Sequence, residues 1–184
     1  MYNVEFASVE KKIFLIEHQL TDLSFVEDFK NLIDFKVSNL NSYKTNVLGK
    51  MTEWDTFTSN ETFQKIITSN QDILKCFIKD KALYCDDAWG NKLENNDEVI
   101  PHNHKNSNIA GIIYLTEGGP GTYFPEFKKI IKEKIGKIVF FDGLALHSVP
   151  KSNLNKARYT LSFNLKIFLD GEYYSNIQKS SLNK

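Results

Sequence analysis

Three of the four histidines in this chain have a spacing that could hold a metal ion. His102 and His104 are separated by one residue, so in an extended segment both imidazoles project from the same side. His147 lies in a later run, Leu144 to Val149, that is typical of a strand and could supply a third ligand. Three neutral imidazoles with open coordination positions suit Fe(II), zinc or copper. The fourth, His18, ends a predicted strand and is interpreted as a surface or structural residue.

The last patterned segment, residues 158–167, alternates polar and apolar residues and is predicted to be a strand. One face is wholly apolar, and the other carries Arg158, Thr160 and Ser162. An arginine can pair with a carboxylate through two parallel hydrogen bonds, so this polar face could line a ligand cavity. The alternative is that Arg158 forms an ordinary salt bridge at an edge, which would contribute little.

The remaining pattern predicts the elements that must position these side chains. Residues 12–18 resemble a strand, and residues 22–38 and 61–80 have the apolar spacing of helices, the second with Asn60 as its N-cap. From about residue 83 the chain consists of short strand-like runs separated by turn residues. We therefore predict an α+β, mainly β fold, in which N-terminal helices pack on the apolar face of one sheet of a β-sandwich or barrel.

Composition bounds the class of protein. The chain has 184 residues, of which 41% are hydrophobic and 25% charged, and this composition is typical of a globular protein. We expect a single domain over 1–184, with a helical region at about 20–80 and a β core at about 83–170. A net charge of 0 disfavours nucleic-acid binding, and no apolar run is long enough to suggest a membrane span. Without an export signal pattern, Cys76 and Cys85 are interpreted as free thiols in a cytoplasm, that of the host if the protein is viral.

Five ordered segments carry a resemblance to a known family. From Trp89 to Asn164 the chain resembles the double-stranded β-helix, or jelly roll, of the 2-oxoglutarate- and Fe(II)-dependent oxygenases. It is most similar to the prolyl-4-hydroxylase-like branch and its uncharacterised bacterial and phage relatives. The matching segments are AWGN (88–91), PHNHKNSNIAGIIYL (101–115), EGGPGTYF (117–124), GKIVFFDGLALHSVP (136–150) and RYTLSFN (158–164).

The resemblance implies Fe(II) and 2-oxoglutarate as cofactors, and O2 with a small-molecule or peptide substrate as reactants. It implies that His102 and His147 hold the iron, with His104 at the position of the second ligand, and that Arg158 anchors the far carboxylate of 2-oxoglutarate. The oligomeric state is not predicted. The remaining cosubstrate contacts implied by the resemblance are Tyr114, Ser162 and Asn91.

One position departs from the family pattern. The usual second ligand is an aspartate or glutamate, and this chain has His104 there. Asp142 could be a replacement carboxylate, or it could form a turn with Gly143. Two other functions therefore stay open: a three-histidine cupin-type dioxygenase that uses no 2-oxoglutarate, and a non-catalytic jelly-roll binding module or phage structural protein.

Overall fold

The computed structural model describes residues 12–39, 45–78, 81–151 and 153–168. The described helices are α1 (Val26–Asn39), α2 (Glu61–Asn70) and α3 (Lys75–Ile78), with short 3-10 helices at Gln71–Leu74 and Pro125–Phe127. No helix within these residues is long and apolar enough to cross a membrane.

The single helix expected over 61–80 is split in two by a 3-10 turn. Its start is as predicted, because the Asn60 side chain accepts a hydrogen bond of 3.0 Å from the Phe63 amide. At Asn70 the side-chain amide donates to the Ile66 carbonyl at 2.8 Å. An asparagine that bonds the backbone competes with regular helix, and α2 ends at this residue.

Eleven strands in the described part of the chain form two antiparallel sheets, which confirms the predicted mainly β fold. The first sheet has six strands, in spatial order β1 (Leu15–Gln19), β9 (Lys137–Asp142), β6 (Ile109–Tyr114), β11 (Arg158–Ile167), β4 (Leu83–Leu93) and β3 (Lys50–Met51). The second sheet has five, in spatial order β2 (Val47–Leu48), β5 (Glu98–His102), β10 (His147–Val149), β7 (Thr122–Phe124) and β8 (Lys129–Ile131).

Strand β11 lies inside the six-stranded sheet and separates two environments. It pairs with β4 on one side and β6 on the other. Its apolar side chains, including Leu161 and Phe163, belong to the same core cluster as Ile33 of α1 and Phe63 of α2, as expected. Successive side chains of a strand alternate, so the polar residues turn toward the second sheet.

Phe163 marks the tightest part of this core. Its ring lies 5.5 Å from the Phe63 ring and 5.8 Å from the Phe140 ring, between centroids. A β-carbon on Gly111 would lie 2.1 Å from the Phe163 ring. Glycine is therefore required at this position of β6, because only its missing side chain leaves room for the aromatic ring.

Candidate metal centre and its cavity

The pairing of β5 with β10 brings two of the predicted ligands together. His147 is the direct partner of His102 in this antiparallel ladder, and their ring centroids are 4.3 Å apart. His104 follows the end of β5, and its backbone amide donates to the Gly143 carbonyl at 2.7 Å. One potential ligand atom from each histidine lies within 4.8 Å of the other two. The predicted histidine cluster is thus formed by two strands and the loop that follows one of them.

Backbone carbonyls orient two of the imidazoles. The Nδ1 atom of His102 lies 2.9 Å from the Ile100 carbonyl oxygen, and Nδ1 of His147 lies 3.2 Å from the Ala145 carbonyl oxygen. A carbonyl can only accept, so Nδ1 carries the proton in each ring. The Nε2 atoms of both rings consequently keep their lone pairs, which is the form that binds a metal.

Burial keeps the cluster uncharged. Burial lowers the pKa of His102. Burial, with a smaller contribution from the nearby His102, lowers the pKa of His104 to about 4. Burial also lowers the pKa of His147 well below its usual range. All three imidazoles are neutral at pH 7. Neutral imidazole is a suitable donor for iron, zinc, copper and nickel, so this donor set fits a divalent transition metal.

The histidines line a cavity between the two sheets. The β11 side chains Arg158, Thr160 and Ser162 line the same cavity, as predicted from the strand pattern. Asn91 of β4 is also part of the lining, and its side-chain amide donates to Ser162 at 2.9 Å and to Thr160 at 3.3 Å. The family-implied residues Arg158, Ser162 and Asn91 therefore share one cavity with the histidines.

Two buried polar atoms of this lining have no hydrogen-bond partner among the described residues. They are the indole nitrogen of Trp89 and the side-chain oxygen of Asn91. A buried polar group without a partner costs free energy, so such atoms mark a place where a polar molecule could bind. These two atoms are therefore available to hydrogen-bond a polar group that enters the cavity.

Arg158 is already paired with a carboxylate that the sequence analysis did not single out. Its Nε donates to Oε1 of Glu133, and the two side chains are 3% and 1% exposed. The Gly121 amide donates to the same oxygen at 3.3 Å. The second oxygen, Oε2, has no hydrogen-bond partner in the described part of the chain. Arg158 therefore does not lie at an exposed edge; it forms a buried ion pair next to the cavity.

Glu133 could not be recognised from the sequence. It lies between Lys132 and Lys134 in a segment that has the composition of a solvated loop. A signal is visible only in retrospect: Gly119 and Gly121 lie in the GGPG segment, and a β-carbon on Gly119 would lie 2.3 Å from Oε2 of Glu133. The missing side chain of Gly119 makes room for the carboxylate, and Gly121 contributes its amide hydrogen bond.

Tyr114 lies against the guanidinium of Arg158 and is not one of the residues that line the cavity. It is fully buried, its hydroxyl donates to Thr122 at 2.7 Å, and its ring lies 5.6 Å from the central guanidinium carbon of Arg158. Burial raises the pKa of the Tyr114 hydroxyl to about 12. Thr122 does line the cavity. A direct contact between Tyr114 and a cosubstrate stays a prediction.

Asp142 takes the turn position that the sequence offered as one of its two roles. Its Oδ1 accepts a hydrogen bond of 2.9 Å from the Leu144 amide, across Gly143. Within the described residues, the cluster that could hold a metal consists of the three histidines and does not include Asp142.

This chain is similar to known proteins in its fold, although no family model or curated protein matches its sequence. Solved structures do match. A viral collagen prolyl hydroxylase from Paramecium Bursaria Chlorella virus-1, solved as a 2-oxoglutarate complex, is 18% identical with a TM-score of 0.59, and the match covers 84% of this chain and 96% of that chain.

Two further solved structures are similar to this chain in fold. A Pseudomonas putida prolyl-4-hydroxylase is 12% identical with a TM-score of 0.62, over 83% of this chain and 91% of that one. HygX from Streptomyces hygroscopicus, with nickel and 2-oxoglutarate bound, is 9% identical with a TM-score of 0.60, over 84% of this chain and 82% of that one. The fold is that of the 2-oxoglutarate- and Fe(II)-dependent oxygenases. The jelly roll expected from the resemblance is therefore confirmed, and in this oxygenase fold the histidine cluster lies between the two sheets.

Proposed function

We propose that this chain is an Fe(II)- and 2-oxoglutarate-dependent oxygenase that hydroxylates a small-molecule or peptide substrate. The observation that carries the proposal is the clustering of His102, His104 and His147 in a cavity that also contains Arg158, within an oxygenase fold. The neighbours' bound 2-oxoglutarate and nickel support the same pair of groups.

The three histidines would hold the metal and Arg158 would bind the distal carboxylate of 2-oxoglutarate. Ser162 and Asn91 would add hydrogen bonds to the cosubstrate, with Tyr114 supporting Arg158. When bound, Fe(II) and 2-oxoglutarate supply the reduction of O2 that oxidises a substrate C–H bond. The protein's contribution is to position these groups and to exclude water.

Aromatic rings would exclude water from the metal. The Phe141 ring lies 4.7 Å and the Phe124 ring 5.7 Å from the His147 ring, between centroids. The Trp89 ring lies 5.9 Å from the His104 ring on another side. Such a wall lowers the local dielectric and strengthens each polar contact inside it.

The first test is an anaerobic titration of the Fe(II)-loaded protein with 2-oxoglutarate, followed by the visible metal-to-ligand charge-transfer band. We expect the band in the wild type, and in the double variant Arg158→Gln/Glu133→Gln we expect it only at a higher concentration of 2-oxoglutarate, because the contact to the distal carboxylate is lost. The double variant is the appropriate one, because Arg158→Gln alone would leave a buried carboxylate unpaired. An iron-loaded protein without the band would contradict the use of 2-oxoglutarate.

A three-histidine dioxygenase that uses no 2-oxoglutarate is the second candidate. The specific observation in its favour is the Glu133–Arg158 pair, since an arginine that already has a carboxylate partner has less need of a second. This candidate predicts iron binding without the band. A non-catalytic role predicts neither, and would be indicated by an absence of tight Fe(II) binding.

The setting of the reaction is also part of the proposal. Cys85 is a free thiol in the described structure, consistent with a reducing compartment, and we place the enzyme in a cytoplasm. The neutral net charge favours a substrate other than nucleic acid.

A further inference from the structure

Glu133 brings a buried negative charge next to the arginine that the proposed function assigns to 2-oxoglutarate. Both side chains are almost completely excluded from solvent. One oxygen of Glu133 is held by Arg158 and the Gly121 amide, and the other has no partner among the described residues. Its charge is therefore only partly compensated by direct contacts.

We propose that Glu133 is a positioning residue that holds the guanidinium of Arg158 by its Nε edge and limits how tightly Arg158 binds a cosubstrate carboxylate. This inference rests on the proposed function. The guanidinium has five N–H donors, and the Nε contact leaves those of its two terminal nitrogens for another carboxylate. A second carboxylate on the same guanidinium experiences repulsion from the first, which is strong in a dry site.

The Glu133–Arg158 pair affects the total charge of the proposed site. A site with two histidines and one carboxylate offsets part of the metal's charge within its ligands, whereas imidazole binds a metal as a neutral ligand, so three histidines offset none of it. A divalent metal and Arg158 together, less the charge of Glu133, leave two positive charges, which one 2-oxoglutarate dianion neutralises. Glu133 thus supplies, at the arginine, the negative charge that His104 does not supply at the metal.

The test compares two 2-oxo acids on two proteins. 2-Oxoglutarate has a distal carboxylate, and 2-oxopentanoate has the same five-carbon chain without it. Their dissociation constants are measured under anaerobic conditions on Fe(II)-loaded wild type and Glu133→Gln, by the charge-transfer band and by calorimetry. Glutamine has the shape of glutamate and can still accept from Arg158 and Gly121, so the main change is the lost charge.

We expect Glu133→Gln to bind 2-oxoglutarate about tenfold more tightly and 2-oxopentanoate within about twofold of wild type. Unchanged or weaker binding of 2-oxoglutarate by folded Glu133→Gln would overturn the inference. If wild type binds no 2-oxoglutarate but Glu133→Gln does, the proposed function fails for the natural chain while the inference about Glu133 stands. If neither protein binds it, both are wrong.

The wild type alone provides a second measurement that needs no folded variant. Because Glu133 offsets Arg158, the wild type should prefer 2-oxoglutarate over 2-oxopentanoate by less than about tenfold. A preference of about 100-fold or more would show an arginine whose charge is fully available, and would overturn the inference even if Glu133→Gln does not fold.

Discussion

His147 lies directly opposite His102 in the antiparallel pairing of β5 with β10. The separation of these two rings is therefore determined by the ladder of main-chain hydrogen bonds and not by loop packing. The Nδ1 contacts to Ile100 and Ala145 then orient each ring. Two of the three candidate ligands are thus preorganised before any metal binds, which reduces the entropic cost of binding.

Removing one of these imidazoles should remove the metal. We expect His147→Ala to weaken binding of Co(II), used as a probe for Fe(II), by more than about 100-fold, because even the loss of a supporting hydrogen bond to a ligand costs 10–100-fold. The control is His18→Ala, since His18 lies exposed on β1 and outside the cluster. Equal Co(II) affinity in His147→Ala and wild type would contradict the metal centre.

The buried pair of Arg158 and Glu133 predicts a non-additive effect on stability. We expect Arg158→Gln to lower the free energy of unfolding by about 3 kcal/mol, because it leaves the Glu133 charge buried and unpaired. The double variant Arg158→Gln/Glu133→Gln should recover most of that loss. The measurement is urea denaturation of the wild type, both single variants and the double variant without metal. Additive losses would show that the two side chains do not interact.

Phe163 is expected to stabilise the interface between the helices and the six-stranded sheet. We expect Phe163→Ala to lower the free energy of unfolding by about 3–5 kcal/mol, since the ring is fully buried between Phe63 and Phe140. The control is Leu48→Ala on β2, where the side chain is 50% exposed and the change should stay within about 0.5 kcal/mol. Similar losses at both positions, by urea denaturation, would contradict the described packing.

Cys85 should be a poorly reactive thiol. Burial, with smaller contributions from the charges of Asp87 and Asp86, raises its pKa to about 12. In a Cys76→Ser background, alkylation at pH 8 should be at least about 100-fold slower than that of an exposed thiol, because the thiolate is the reactive form. The rate should rise about tenfold per pH unit between pH 8 and 10.

The raised pKa of Cys85 also predicts how the free energy of unfolding changes with pH. The partly buried neutral thiol contributes its full stabilisation below the unfolded-state pKa near 9.0, and loses it as the pH rises toward about 12. Rapid alkylation of Cys85 with a plateau near pH 9 would contradict the burial of this thiol.

Local patterns in the sequence were sufficient for the main elements. The alternation in residues 158–167 predicted both the strand and its two environments, since period-two alternation places one set of side chains on each face. The one-residue spacing of His102 and His104 predicted their proximity for a similar reason. The interruption of the second helix at Asn70 was not predicted, because a side-chain bond to the backbone overrode favourable apolar spacing.

The sequence by itself determined the mainly β class, the histidine cluster and the polar face that Arg158 shares with Ser162, because each depends on spacing within one segment or on a resemblance carried by local motifs. Only the tertiary structure decided what Arg158 contacts. Glu133 lies 25 positions away in a lysine-rich segment, and nothing in its local sequence distinguishes it from a solvated charge. Burial of a charge depends on distant residues, here Gly119, Gly121 and Arg158, that come together only when the sheets pack.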